Sequence, residues 1–126
     1  MVQLLTDKLE SFDFIFSNEM GEQLVAGYDK PTNQFFIDRT KAGNSNFEKG
    51  FAERHTAARI LKTSGSRITL IIDRASIELF ADDGLTVMTE IFFPNKPFNQ
   101  INIQSQNNLQ IRKLEYTGLN SIWQHK

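Results

Sequence analysis

Two Asp-Arg pairs and one further acid are the residues whose types and spacing could do chemistry. Asp38-Arg39 and Asp73-Arg74 each stand at the end of an apolar run, and Glu78 follows the second pair. Glycosidase chemistry would need two carboxylates that face one bond, about 5–10 Å apart. Carboxylates and guanidinium groups could instead bind the vicinal hydroxyls of a sugar. A third, architectural interpretation is that each Asp accepts backbone N–H groups at a turn while each Arg pairs with a nearby carboxylate.

The hairpin predicted around Glu78 argues against the catalytic interpretation. Asp83-Gly84 is typical of a two-residue hairpin turn, which would pair Glu78 with Thr89 and Ile77 with Glu90. Because cross-strand partners share a face of a sheet, Glu78 and Glu90 would point to opposite faces and could not flank one bond. We therefore expect that Glu78 and Glu90 do not form a catalytic pair.

Sugar binding and architecture remain as the two interpretations of the charged residues. Motifs this short are weak evidence for a site, so the residues taken alone favour architecture. The carbohydrate-binding candidates are Asp38, Arg39, Asp73, Arg74 and Glu78.

Other kinds of site have less support. His55 and His125 lack the spacing of metal ligands, and there is no cysteine to assist them or to form a disulfide. Neither a Gly-x-Ser-x-Gly elbow nor a Gly-x-x-x-x-Gly-Lys loop occurs, so acyl transfer and nucleotide binding are not indicated. We expect no metal and no cofactor. Trp123 could stack on a sugar ring or dock the chain end onto the core.

The length and charge of the chain narrow its class and its partners. Its 126 residues suit a single domain over 1–126, since domains commonly hold about 100–150 residues. A net charge of −1 gives no reason to expect nucleic acid or an anionic membrane as a partner. The longest apolar runs, such as Leu70-Ile71-Ile72, are too short to cross a bilayer.

The elements that must position the charged residues are predicted to be strands. Eleven phenylalanines accompany one tryptophan, and Phe12, Phe14 and Phe16 alternate with polar or smaller residues at the period of two of a strand. Short strands with frequent turn signals predict an all-β fold, an antiparallel two-sheet β-sandwich of the concanavalin-like or jelly-roll type. Residues 57–61 fit either a strand or a helical turn. The predicted strands are 12–17, 23–28, 34–38, 67–73, 76–82, 85–93, 100–105 and 109–116, the last two around an Asn107-Asn108 turn.

One segment resembles a known family. Ile72-Asp73-Arg74-Ala75-Ser76-Ile77-Glu78-Leu79-Phe80-Ala81-Asp82-Asp83-Gly84, with Phe92-Phe93-Pro94 downstream, resembles the hallmark of the C-terminal domain of glycoside hydrolase family 32, the invertases, levanases and inulinases. Gly27-Tyr28-Asp29, Phe36-Ile37-Asp38-Arg39 and Ser121-Ile122-Trp123 are also similar, so the resemblance covers roughly residues 12–123. Two departures are Ala75, where Ser is usual, and Ala81, where Asn is usual.

The resemblance implies a β-sandwich that packs against a catalytic five-bladed β-propeller. The family's catalytic motifs are Trp-Met-Asn-Asp-Pro-Asn-Gly, Arg-Asp-Pro and Glu-Cys, and none of them occurs in this sequence. We therefore expect an accessory domain, a fragment or split gene product that is inactive alone and whose partner is the propeller. Its roles would be to stabilise the propeller, shape the rim of its cleft or mediate dimerisation. The alternative is a fructan-binding module that takes fructan or fructose at the five candidate residues.

A further expectation concerns the sheet edges. Family members begin with one or more strands that would lie upstream of Phe12, and the polar Thr6-Asp7-Lys8 makes the preceding residues a poor source of them. An incomplete edge would favour pairing with another chain, such as a homodimer partner.

Overall fold

The computed structural model describes residues 1–42, 54–106 and 109–116, and these residues form two antiparallel sheets. Sheet A has the strand order β10-β1-β6-β7-β8 and sheet B the order β5-β4-β3-β2-β9. The two-sheet antiparallel β-sandwich predicted from the sequence is confirmed. The strands are β1 Val2–Thr6, β2 Phe12–Ser17, β3 Gln23–Asp29, β4 Gln34–Lys41, β5 Arg54–Ala58, β6 Ser66–Ile72, β7 Ser76–Ala81, β8 Thr86–Ile91, β9 Gln100–Gln104 and β10 Lys113–Tyr116.

The core lies between the sheets and is built from the alternating apolar residues of both. Phe12, Phe14 and Phe16 of β2 are all buried, with the Phe14 and Phe16 rings stacked at a centroid distance of 6.5 Å. Because alternate residues of a strand share a face, the polar or smaller residues between them face outward. Sheet A supplies the opposite wall, with Leu70 of β6 and Leu79 of β7 buried and paired in register.

The residues before Phe12 do form a strand, so the expectation that they could not is wrong. β1 is an interior strand of sheet A, between β10 and β6. Val2 and Leu4 are buried, and the polar Thr6 is accepted at the strand end because its hydroxyl donates to the Gln110 carbonyl at 2.6 Å. A five-residue strand spans about 16 Å, which is enough to complete a short ladder.

Two further predictions, the hairpin of the last two strands and the conformation of residues 57–61, needed correction. In both cases the strand pairing, not the local pattern, determines the structure. β9 pairs with β2 in sheet B, whereas β10 pairs with β1 in sheet A, so these two strands do not form a hairpin. Asn107-Asn108 lies outside the described residues. The ambiguous segment 57–61 contributes only the end of β5, which runs Arg54–Ala58 and pairs with β4.

The fold brings the edge strand β5 of sheet B beside the edge strand β8 of sheet A. A direct bond joins them, since the Thr86 hydroxyl donates to the Ala58 carbonyl at 3.1 Å. We call this junction the β5/β8 seam: it comprises Arg39, Arg54–Ala58 and Arg59 from sheet B, and Ser66, Asp82 and Thr86–Ile91 from sheet A. Two charged groups that the sequence analysis named, Arg39 and Glu90, lie along it.

Candidate functional site

The β7–β8 hairpin has the register that its sequence predicts. Glu78 pairs with Thr89, and Ile77 pairs with Glu90. The turn between them is left-handed, with φ of 57° at Asp82, 58° at Asp83 and 92° at Gly84. Aspartate tolerates this region of φ better than most residues do, and glycine adopts it without steric cost. Glu78 and Glu90 therefore lie on opposite faces of sheet A, which rules out their acting as a carboxylate pair on one bond.

Asp82 forms a buried ionic cluster at one end of the seam. Its carboxylate accepts from the Ser66 hydroxyl at 2.6 Å and from the Arg59 Nε at 3.1 Å, and the side chains of Asp82 and Arg59 are 0% and 7% exposed. Arg59 also donates from Nη2 to the Gly65 carbonyl at 2.7 Å. With these contacts both ionic groups are hydrogen-bonded, which is what makes their burial tolerable.

A second ionic cluster forms around Glu90 at the other end of the seam. Arg39 donates from Nη1 to the Ile91 carbonyl at 2.7 Å, and its Nη2 lies 3.5 Å from Glu90 Oε1. His55 Nδ1 lies 2.8 Å from Glu90 Oε2. Arg39 and Glu90 are largely buried, so the sugar-binding candidate Arg39 is directed between the sheets. Its pairing with a carboxylate is what the architectural interpretation predicts.

Asp38 lies on the outer face of sheet B. Its Oδ1 accepts from the Thr40 backbone N–H at 3.0 Å and from the Thr40 hydroxyl at 2.7 Å. Asp38 thus binds the backbone as expected, but inside β4 rather than at a turn. Asp38 pairs in register with Arg54, whose guanidinium lies 4.2 Å above the centre of the Phe36 ring. Burial raises the pKa of nearby Asp13; Arg54 opposes this shift and the negative charges of Asp29 and Asp38 add to it.

Asp73 and Arg74 lie in the exposed turn between β6 and β7. The Asp73 N–H donates to the Ser76 carbonyl at 2.8 Å, and Asp73 Oδ1 accepts from the Arg74 N–H at 2.8 Å. Asp73 therefore caps the turn as the architectural interpretation predicts. Arg74 departs from it, because within residues 1–42, 54–106 and 109–116 its guanidinium makes no ion pair.

Glu78 lies within β7 on the outer face of sheet A. Its neighbours Ile77 and Leu79 point into the core and are fully buried, so the half-buried Glu78 side chain points outward. Its strand partners are Ile71 and Thr89. No hydrogen bond or ion pair reaches its carboxylate from any other described residue.

The five predicted sugar-binding residues are distributed over three places. Asp38 faces outward from sheet B, Arg39 is buried in the seam, and Asp73, Arg74 and Glu78 lie at one end of sheet A. These three follow one another around the β6–β7 turn and the start of β7. Trp123 and His125 lie outside the described residues.

The residue set that sequence reasoning missed is the Arg59–Asp82–Ser66 cluster. Ser66 and Asp82 are brought together by the pairing of β6 with β7, while Arg59 arrives from sheet B. The Asp-Asp-Gly turn signals a hairpin, but nothing in that pattern distinguishes the buried Asp82 from Asp83, which is exposed.

A third polar contact ties the β2–β3 turn to the loop after β8. Glu22 accepts from the Asn18 side chain at 2.9 Å, from the Asn95 N–H at 2.8 Å and from the Asn95 side chain at 2.7 Å. Burial alone would raise the pKa of Glu22, but these hydrogen bonds favour its ionised form and hold the pKa below its usual range.

Neither metal ligation nor membrane spanning has a counterpart in the described part of the chain. No group of three His, Asp or Glu side chains is placed there to hold a metal ion. Nor is any helix there long and apolar enough to cross a membrane.

The two antiparallel sheets define a β-sandwich domain, and comparison with known proteins gives the family. Residues 2–118 match the family described as glycosyl hydrolases family 32 C terminal. The chain belongs to that family.

The relatives are glycoside hydrolases. The levanase of Bacillus subtilis (strain 168) is 27% identical over 115 residues, covering 88% of this chain and 17% of that enzyme. The sucrose-6-phosphate hydrolase of Pediococcus pentosaceus is 31% identical over 124 residues, covering 91% of this chain and 24% of that enzyme. The chain thus spans less than a quarter of the length of these relatives.

A solved structure supports the fold. The exo-inulinase of Aspergillus awamori superposes with a TM-score of 0.75 at 24% identity, covering 90% of this chain and 23% of the exo-inulinase chain.

Proposed function

We propose that this chain is a non-catalytic accessory domain of a β-fructosidase-type glycoside hydrolase, whose parent enzyme acts on fructan or sucrose. The observation that carries the proposal is the family match over residues 2–118, which the family's description places at the C-terminal part of much longer hydrolases. The domain would stabilise a catalytic β-propeller, shape its cleft or contribute to oligomerisation.

The charged groups support a role without bond cleavage. Most of them are bound within the domain: Asp38 and Asp73 accept backbone N–H groups, Arg39 binds Glu90, and Asp82 binds Arg59. Groups held in this way stabilise the sandwich. Glu78 and Glu90, on the paired strands β7 and β8, face opposite sides of sheet A.

Assay of the purified 126-residue chain for fructose release tests the absence of catalysis. With sucrose, levan and inulin as substrates we expect no release above the buffer rate, while the exo-inulinase of Aspergillus awamori serves as the positive control. Release that is proportional to the concentration of the chain, and that persists through a second purification step, would overturn the proposal.

A fructan-binding module is the second candidate function. The observation that favours it is that Asp73, Arg74 and Glu78 lie at one end of sheet A, where the Arg74 and Glu78 side chains have no ion-pair partner among the described residues. Asp38 lies on the outer face of sheet B and Arg39 is buried against Glu90, so the five candidates do not form one sugar site.

Calorimetric titration with levan, inulin and fructose distinguishes the two functions. A module would show saturable heat that the double variant Arg74→Ala/Glu78→Gln abolishes, and the variant Asp38→Asn would report separately on the outer face of sheet B. Absence of heat with each sugar at millimolar concentration would remove the module and leave the accessory role.

A further inference from the structure

We propose that the outer strip of sheet A, formed by Leu85, Val87, Thr89, Ile91 and Phe93, is the surface that docks against the catalytic part of the parent enzyme. Glu78, in the neighbouring strand, would make the ion pair or hydrogen bond that orients the two parts. This inference rests on the proposed accessory function and identifies the surface that performs it.

The strip is a row of outward-facing residues, four of them large and apolar with Thr89 at the centre. Residues 85, 87, 89, 91 and 93 alternate with inward-facing ones, and the ladder continues past β8 because the Phe92 N–H donates to the Ala75 carbonyl at 3.0 Å. The side chains of Leu85, Val87, Ile91 and Phe93 are 50%, 50%, 49% and 43% exposed. Exposed hydrophobic groups that lie together in this way mark interaction surfaces, whereas single ones do not.

Sheet B offers no comparable surface. Its outer face carries Asp13, Asp38 and Arg54 along neighbouring strands. Among the described residues of its five strands, no large hydrophobic side chain reaches the exposure of the strip. A partner that buries apolar area would therefore bind to sheet A.

The partner that covers the strip is inferred from where a preceding domain would be attached. The family region is the C-terminal part of its enzymes, so in a longer family member the larger part joins at β1. Val2 of β1 lies in the same cross-strand row as Leu70, Leu79 and Met88, and chain continuing back beyond Val2 would run toward the Ile91 end of β8. Ile91 lies only about 10 Å from that row along β8. β8 itself is three strand spacings, of about 4.8 Å each, from β1 across the sheet.

The size of the strip favours a covalently attached partner over a second copy of the chain. The row is roughly 26 Å long and about 10 Å wide, given about 3.3 Å per residue and two strand spacings. Stable complexes of separate chains bury about 800 Å² on each partner, several times that area. A covalent linker raises the effective concentration to about the millimolar range, at which a small apolar contact is sufficient.

Glu78 would make the contact selective. Its carboxylate lies between Ile71 and Thr89, beside the Phe80–Val87 pair, and no described residue bonds to it. Covering the strip would remove water from this carboxylate, and an unpaired buried charge is strongly unfavourable. The partner surface must therefore place an arginine, a lysine or another hydrogen-bond donor opposite Glu78.

A chimaeric enzyme tests the inference. In the levanase of Bacillus subtilis, the region that matches this chain is replaced by the chain itself, and the half-life of levan hydrolysis at elevated temperature is compared with that of levanase lacking the region. We expect the chimaera to survive longer. The double variant Val87→Lys/Ile91→Lys should lower the half-life of the chimaera to that of the truncated enzyme. Glu78→Gln should shorten the half-life of the chimaera by about tenfold.

The matched control is Met20→Lys/Ile60→Lys, which places lysines at positions 54% and 62% exposed outside the strip. It should leave the half-life of the chimaera unchanged. Circular dichroism and thermal unfolding of the free chain establish that each variant is folded.

Each outcome has one meaning. If the chimaera with the unaltered chain is no more durable than truncated levanase, the accessory function itself fails. If that chimaera is durable and the strip variants are equally durable, the function stands and the docking surface is wrong. Sedimentation of the free chain as a dimer that Val87→Lys/Ile91→Lys dissociates would assign the strip to a second copy and overturn the inference.

Discussion

Asp82 and Glu78 are two acids of one short segment with opposite surroundings. The Asp82 carboxylate is fully buried and bonded to Ser66 and Arg59. The Glu78 carboxylate is half-buried on the outer face of sheet A, where no described residue bonds to it. Asp82 connects the two sheets of the domain, whereas Glu78 contributes nothing visible to their cohesion.

The difference shows how position within a hairpin decides the role of a charge. Asp82 lies in the left-handed turn, where its side chain reaches the cleft between the sheets beside Arg59. Glu78 lies in the strand, where the alternation with Ile77 and Leu79 directs it to the opposite side. A carboxylate that stabilises the domain and one that is available to a partner thus occur within the same motif.

The strongest test of the comparison is Asp82→Ala. Removing this carboxylate leaves the Arg59 guanidinium buried without its ion-pair partner, so the free energy of unfolding should fall by about 3–5 kcal/mol. Urea denaturation of the variant measures the loss. The double variant Asp82→Ala/Arg59→Met should recover part of it, because both charges are then removed. A loss below about 1 kcal/mol in the single variant would contradict a cohesive role for the cluster.

The Glu22 contact provides an intermediate case with a pH signature. Because the pKa of Glu22 is lowered in the folded chain, its stabilising effect is complete above the ordinary glutamate value of about 4.3 and disappears as the pH falls through the lowered value. Glu22→Gln should reduce the free energy of unfolding by roughly 1 kcal/mol at pH 7.

At pH 3 the difference between Glu22→Gln and the parent chain should be smaller than at pH 7. Denaturant unfolding at the two pH values provides the measurement, and an equal difference at both would show that the carboxylate charge has no part in the contact.

The smallest effect is expected for Glu78→Gln. Since no described residue bonds to Glu78, the free energy of unfolding of the free chain should change by no more than about 0.5 kcal/mol. Thermal and urea unfolding of Glu78→Gln and Asp82→Ala, under the same conditions, provide the measurement. A loss comparable with that of Asp82→Ala would mean that Glu78 is architectural, and the contrast between the two acids would then fail.

Local patterns in the sequence predicted much of the sandwich and its turns. The alternation of Phe12, Phe14 and Phe16 indicated a core strand, and Asp83-Gly84 fixed the register that pairs Glu78 with Thr89. Asp73 caps its turn as such residues commonly do. Each of these features depends on residues that are close in the chain, which is why they could be predicted.

Contacts between distant residues could not be obtained in this way. The β1 strand was missed because its pairing with β6 and β10 is long-range, and the polar Thr6 conceals the alternation. Arg59 and Asp82 are drawn together by the approach of β5 to β8, which no pattern around either residue indicates.

The sequence by itself determined the all-β class, the hairpin and its register, because strand periodicity and turn chemistry act over a few residues. It also determined the family, through the density of matching residues around Ile72-Asp73-Arg74. Only the tertiary structure decided which charges are buried in the seam and which remain on the outer face of sheet A. Side-chain burial depends on how the two sheets pack, and that packing is fixed by the whole core together.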